Sequence, residues 1–203
     1  MHKIITEVLN DAGYDQAITG ISLSYKITPE RAREVATRLA FKDGGHNKFL
    51  ESIIVWVLIQ APRYWWQEMD TYRHATKQSE STMHTLVDEL KVITSDFGLS
   101  RWAVENIESE MSLPYLRRLK NLADEEQMVE LKSLVPEGFL QRRVMCFNYK
   151  TLRNMILQRR NHRLPHWPDF LMSVLGQIDH PELLPGVEPK GLETDKVIGE
   201  TDD

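Results

Sequence analysis

The densest run of chemically capable side chains is Gln60-Ala-Pro-Arg-Tyr-Trp-Trp-Gln-Glu-Met-Asp-Thr-Tyr-Arg-His-Ala-Thr-Lys-Gln-Ser-Glu-Ser-Thr-Met-His84. It holds two of the five tryptophans and two of the seven histidines. Wound as a helix, it sets Trp65, Met69, Tyr72 and Arg73 on or beside one face, with His74 pointing away. A guanidinium at the edge of an apolar stripe needs a partner, because an unpaired buried charge is costly. The alternative is an amphipathic helix whose Arg reaches out to water. The polar run at 75–82 then offers hydroxyls and amides, which both donate and accept and so suit an oxygen-rich ligand. The same residues equally suit a surface loop in which Ser79 or Ser81 caps the next helix.

A second cluster is basic: Lys132, Arg142, Arg143, Lys150, Arg153, Arg159, Arg160 and Arg163. On a helix, Leu152, Met155, Ile156, Arg159 and Arg163 form one narrow stripe, so Arg159 continues an apolar face. A guanidinium there serves either a phosphate or carboxylate ligand, through paired hydrogen bonds, or an internal bridge to a carboxylate. Other chemistries lack their residues. No Gly-rich phosphate loop and no zinc-spaced His/Cys set occurs. His162 and His166 are four apart, but Pro165 breaks the helical face between them. The single cysteine, Cys146, sits in the apolar run Val144-Met-Cys-Phe147 and reads as a core residue, not a nucleophile.

These groups need a scaffold. Alternation at 18–27 predicts a strand. Thr28-Pro29-Glu30 predicts a helix start, with a capping Thr and Pro at the first helical position, and that helix stops at Asp43-Gly44-Gly45. A buried strand is expected at 52–60, and helices at 63–76 and 82–94. A helix is expected at 113–134 with a break near 121–124, then a short strand at 143–149 and helices at 151–163 and 167–178. The pattern is α+β: a helix-rich domain around a small, mainly antiparallel sheet. From Asp179 the composition turns acidic and rich in Pro and Gly, so 1–178 reads as the domain and 179–203 as a flexible tail.

The 203 residues suffice for one core without staples. A net charge of −5 gives no overall field toward nucleic acid, so no nucleic-acid partner is expected and an anionic ligand must be held locally. One cysteine, no signal peptide and no apolar run long enough to span a bilayer predict a cytoplasmic protein that binds no membrane.

The ordered residues resemble a known family. A strand ending Gln60-Ala61-Pro62, followed by Arg73-His74-Ala75 and Glu80-Ser81, is similar to the signature of the flavin-dependent thymidylate synthases, whose strand ends in a Lys-Ala-Pro-like tripeptide before Arg-His-Arg and a Ser. Lys132-Ser-Leu-Val-Pro136 resembles that family's Arg-x-x-Leu-Pro segment. Asn148, Leu152, Asn154 and Arg159 keep the spacing of its Asn-x-Arg-x-Leu-x-Asn-x-x-x-x-Arg helix, and His166-Trp167 resembles the Gln-Trp pair that follows. Leu23-Ser24-Tyr25 is similar to its first strand. The chain departs from the pattern at Ala75, where the family has Arg, and at Thr82-Met83-His84, where an Arg is usual. The spacing from Arg73 to Ser81 is short, and the Phe-Glu-His segment reads Phe49-Leu50-Glu51-Ser52.

The resemblance implies a homotetramer whose active sites are built from several subunits, with FAD as cofactor and methylene tetrahydrofolate and NADPH as co-substrates. It implies methylation at C5 of deoxyuridine monophosphate. The departures leave open hydroxymethylation of a deoxypyrimidine monophosphate, or a non-catalytic nucleotide-binding homologue. Residue by residue, it implies that Arg73 and Arg159 are catalytic. Gln67, Glu80, Ser81, Lys132 and Arg159 would hold the nucleotide. Ser24, Arg73, His74, Asn148, Lys150 and Asn154 would hold the flavin.

Overall fold

A computed structural model of the chain describes residues 4–91 and 109–186. Its centre is a four-stranded antiparallel sheet of β1 (Ile5–Ala12), β2 (Ile54–Pro62), β3 (Ala75–Ser79) and β4 (Leu140–Asn148), in the order β1-β2-β4-β3. The helices among the described residues are α1 (Tyr14–Tyr25), α2 (Pro29–Leu39), α3 (Arg63–Met69), α4 (Thr82–Lys91), α5 (Ser109–Asp124), α6 (Met128–Leu134), α7 (Tyr149–Arg159) and α8 (His166–Leu175). Short 3-10 turns occupy Lys48–Ser52 and Pro181–Leu183. The expected class, helices around a small antiparallel sheet, is what forms.

Alternation explains the sheet's two faces. Val55, Val57, Ile59 and Ala61 of β2 and Met145 and Phe147 of β4 are buried in the main core, with Trp65, Trp66, Trp167 and Phe170. The opposite face carries Trp56, which remains 38% exposed, and Ile54 beside it. Ile5 and Leu9 of β1 are exposed as well. A smaller core of Leu86, Leu119, Leu122, Leu131, Val135 and Phe139 joins α4, α5 and α6.

Several expected elements take another form. Residues 18–27 are not a strand: Ala17, Ile18 and Ile21 form the buried stripe of α1, while Leu23 and Tyr25 stay exposed. The alternation there was hydroxyls falling between apolar residues, and Thr19 and Ser24 instead return their hydroxyls to carbonyls one turn back. The first strand comes earlier, at β1. Between β1 and α1 lies Gly13, at φ +99, where a Cβ would collide with the carbonyl oxygen of Ser52. The helix expected at 63–76 stops at Met69, and the chain reverses into β3 to pair with β4. The start at Thr28 holds, its hydroxyl accepting from the Arg31 amide with Pro29 following. The break expected near 121–124 falls just after α5, where Glu126 takes a φ of +57.

Residues 179–186 are packed. Leu183 and Leu184 are buried, and His180 stacks on Tyr14 with ring centroids 3.5 Å apart. Asp11 accepts from the Asp179 amide (2.9 Å) and from the Tyr149 hydroxyl (2.5 Å). Burial first, and then Asp11, push the Tyr149 phenol well above its ordinary range. The remainder of the expected tail, residues 187–203, lies outside the described residues, as do residues 92–94 of the helix expected at 82–94. No helix among the described residues is long and apolar enough to cross a membrane.

Candidate active site

Arg73 and His74 sit in the turn between α3 and β3, both exposed. Two interactions fix that turn. Antiparallel pairing sets Ala75 opposite Phe147 and Thr76 opposite Cys146. At the start of α7, the Asn148 side chain accepts from the Thr151 amide (2.8 Å), and the Thr151 hydroxyl reaches the His74 carbonyl (3.5 Å). Arg73, His74, Thr76, Cys146, Asn148 and Glu51 thus share one cleft of about 260 Å³. Lys150 binds Glu51 at 2.8 Å, and this bond holds the Glu51 carboxyl below its ordinary range. Cys146 is half-buried on the cleft wall, on the open face of the sheet, so it is not the core residue its neighbours suggested. Burial pushes its thiol up, against a smaller opposing hydrogen bond from Thr76. A raised thiol is a poor nucleophile at neutral pH.

Glu51 also lines a larger cavity of about 850 Å³ between α1 and the Lys48–Ser52 turn. Its polar lining includes Gln16, Ser24, His46 and Lys48, over an apolar floor of Ala17, Ile21 and Phe49. The Ser24 hydroxyl is bonded back to the Gly20 carbonyl at 2.9 Å. His46, Lys48 and Gln16 were not singled out from sequence, because Asp43-Gly44-Gly45 read only as a helix stop.

A third cleft, about 330 Å³, is lined by Arg63, Thr82, Lys132 and Gln141 over Leu86, Val135 and Phe139. The Arg63 guanidinium donates to the Val135 carbonyl (3.0 Å) and pairs with Glu137 (3.4 Å). Gln67 donates to the same Glu137 at 2.8 Å. This cleft and the 260 Å³ cleft touch β4 at Gln141 and Cys146, five residues and roughly 17 Å apart along a strand. The expected flavin-side and phosphate-side groups therefore stand apart within one chain.

The remaining expected residues divide between these clefts and internal bonds. Glu80 takes a two-pronged bond from Arg142, with Nη2 at 2.9 Å and Nε at 3.2 Å. Ser81 opens α4, its carbonyl accepting from the His84 and Thr85 amides. Asn154 is exposed on α7, and neither it nor Arg159 lines any of the three clefts. Arg159 makes the internal bridge: its Nη1 lies 3.1 Å from Glu68 and 2.8 Å from His162 Nε2, its Nε donates to the Tyr72 hydroxyl, and its guanidinium lies 5.0 Å from the Trp167 ring centroid. Trp167 donates to the same Glu68 oxygen at 2.7 Å. Of the two partners open to an inward guanidinium, the carboxylate one is present within the chain. Among the described residues, no group of three or more His, Cys, Asp or Glu gathers that could hold a metal ion.

No protein-family model matches the chain, and no curated protein does. Solved structures do. Thymidylate synthase X from Helicobacter pylori, with FAD and dUMP, is 20% identical over 89% of this chain and 97% of its own, with a TM-score of 0.76. A second structure of the flavin-dependent enzyme from Helicobacter pylori, complexed with FAD and dUMP, is 19% identical over 90% and 98%, with a TM-score of 0.75. The UMP/dUMP methylase PolB from Streptomyces cacaoi, bound with 5-Br dUMP, is 12% identical over 89% and 93%, with a TM-score of 0.63. The fold that the spacing of Asn148, Asn154 and Arg159 suggested is the one present: this chain has the fold of the flavin-dependent thymidylate synthases.

Proposed function

We propose that this protein is a flavin-dependent enzyme that transfers one carbon reductively from methylene tetrahydrofolate to C5 of dUMP, with NADPH as the reductant. The observation that carries the proposal is a fold shared over nine-tenths of the chain with proteins solved with FAD and dUMP, in which two clefts share Glu51. An elongated dinucleotide suits that arrangement. The larger cavity offers Lys48, His46 and Ser24 to polar groups over an apolar floor, and the smaller cleft offers Arg73, His74 and Asn148. Bound FAD would supply the hydride. The chain's own residues hold and orient: Arg73 places positive charge where negative charge develops on the pyrimidine, and Lys150 keeps Glu51 ionised beside it. Lys132 and Thr82 offer a cation and a hydroxyl to the nucleotide phosphate, with Gln67, Glu80 and Ser81 close in sequence to that wall.

The roughly 17 Å between these clefts supports a homotetramer, in which a neighbouring copy completes each site. The exposed apolar sheet face around Trp56 and Ile54 supports the same reading. A second reading follows from Arg159, which is committed to Glu68: a nucleotide-binding homologue without transfer chemistry. Purified protein decides between them. The enzyme retains a chromophore with the spectrum of oxidised flavin. It also releases tritium from C5-labelled dUMP only when methylene tetrahydrofolate and NADPH are present. Colourless protein that binds dUMP but takes up no FAD would establish the second reading.

A further inference from the structure

Arg153, on α7, points into the protein where its neighbours Leu152 and Met155 are fully buried. Its side chain is only 10% exposed, and its Nε has no hydrogen-bond partner. Its one ion pair among the described residues is with Asp43, 3.3 Å from Nη2, a side chain 85% exposed to solvent. The pairing is lopsided: a nearly enclosed guanidinium depends on a carboxylate that would be at no disadvantage in water.

Asp43 begins an exposed stretch, residues 43–46, that ends where Asn47, Phe49 and Leu50 are buried. Gly44 and Gly45 follow at φ +69 and +87, with nothing within 4 Å of where their Cβ atoms would stand. Both glycines, with His46 and Lys48, line the 850 Å³ cavity. The local hydrogen bonds run from the Lys42, Lys48 and Leu50 amides to carbonyls within the segment or at the end of α2. The bond from Asp43 to Arg153 therefore ties the Asp43–Gly45 stretch of this cavity wall to α7, while the Glu51–Lys150 pair ties the far end of the wall to the same helix.

We infer that Arg153 is a positioning residue, holding the Asp43–Gly44–Gly45 wall against α7 and thereby setting how readily a ligand enters and leaves the large cavity. Were the wall to swing out, Arg153 would remain enclosed without a counter-charge, an expensive state that favours return. A buried charge thus acts as a spring on an exposed loop. Replacing the arginine by an apolar side chain of similar length removes the spring without leaving a buried charge behind, so loop behaviour and global stability come apart.

The test is amide hydrogen exchange of the full-length protein, read on the peptide covering Lys42 to Leu50. Arg153→Met should speed exchange there about tenfold while the melting temperature holds or rises, and Arg153→Lys should restore much of the protection. Asp43→Asn, a surface change, should speed the same amides and serves if Arg153→Met does not fold. Unchanged exchange in the folded variants would overturn the inference and leave Arg153 as a packing residue only. A second arm uses FAD as probe and rests on the functional reading above. Stopped-flow dissociation of FAD should quicken about fivefold in Asp43→Asn. Should the parent protein bind no FAD, that reading fails while the exchange data still decide the role of Arg153.

Discussion

At the scale of single residues, Arg73 and Arg159 make a useful contrast. Arg73 is exposed at a cleft, whereas Arg159 is wired to Glu68, Tyr72, His162 and Trp167. Arg73→Ala should leave urea unfolding within about 0.5 kcal/mol of the parent. It should nevertheless weaken dUMP binding, measured by calorimetry, about tenfold. Arg159→Ala should instead lower the unfolding free energy by about 1–2 kcal/mol, a moderate figure because Glu68 keeps partial contact with water. If Arg159→Ala proves neutral in urea, the bridge contributes nothing to stability. His166 supplies a pH dependence. Burial pushes its imidazole below the ordinary value of 6.5, against a smaller opposite effect of Asp169. Below that value the unfolded chain takes up a proton that the folded one resists, so stability falls as the solution is acidified from neutrality. Urea midpoints at pH 7.5 and 5.5 should therefore differ less in His166→Gln than in the parent. Equal differences would assign the acid sensitivity to other groups.

At the scale of elements, Gly13 is the joint most open to attack. Gly13→Ala sets a Cβ against the Ser52 carbonyl at a positive φ, and should cost about 2–3 kcal/mol in urea unfolding. The elements also show what the sequence could reveal. Strong local signals were sound: Thr28-Pro29 starts α2, β2 runs as an apolar strand into Pro62, and α7 buries Leu152, Met155 and Ile156 of its expected stripe, although it ends at Arg159 and leaves Arg163 exposed beyond it. The failures came where tertiary pairing outweighs local pattern. β3 exists because β4 offers it a free edge, a fact no window of residues 63–82 contains, so the helix was expected to run on through Arg73. β1 has only exposed and half-buried positions, and its partner β2 lies some fifty residues later, so nothing local marked it. The candidate site followed the same rule. Arg73, His74 and Asn148 were singled out by the family resemblance, and they share a cleft. Whether Arg159 meets a ligand or Glu68 depends on how α3 lies against α7, and spacing along α7 is silent about that.

At the scale of the whole molecule, the sheet has one covered face and one largely open face. Trp56 and Ile54 lie on the open face, and a lone chain would present this apolar surface to water. A monomer would have a mass of 23.7 kDa. Light scattering on the eluting protein should give a multiple of that mass, four being the value the proposed function requires. Trp56→Glu should shift the peak toward the monomer with circular dichroism unchanged. A parent protein eluting as a monomer would remove the oligomeric part of the proposal. Under the proposed function, flavin retention should fall in step with dissociation, because each half-site would then lose the groups a neighbour is proposed to provide.

The Asp11 carboxylate, which accepts from Tyr149 and from the Asp179 amide, has a consequence for the order of events during synthesis. Translation delivers Asp11 early, yet both partners arrive more than a hundred residues later, and β2 cannot help until its own residues have emerged. The first strand therefore waits on the growing polypeptide with an unpaired edge and an unclaimed acid, and the closing residues of the folded body are what finally secure it. A chain stopped at Ile178 would lack the Asp179 amide and the buried pair Leu183 and Leu184, so that truncation should first loosen β1, the strand most distant from it in sequence.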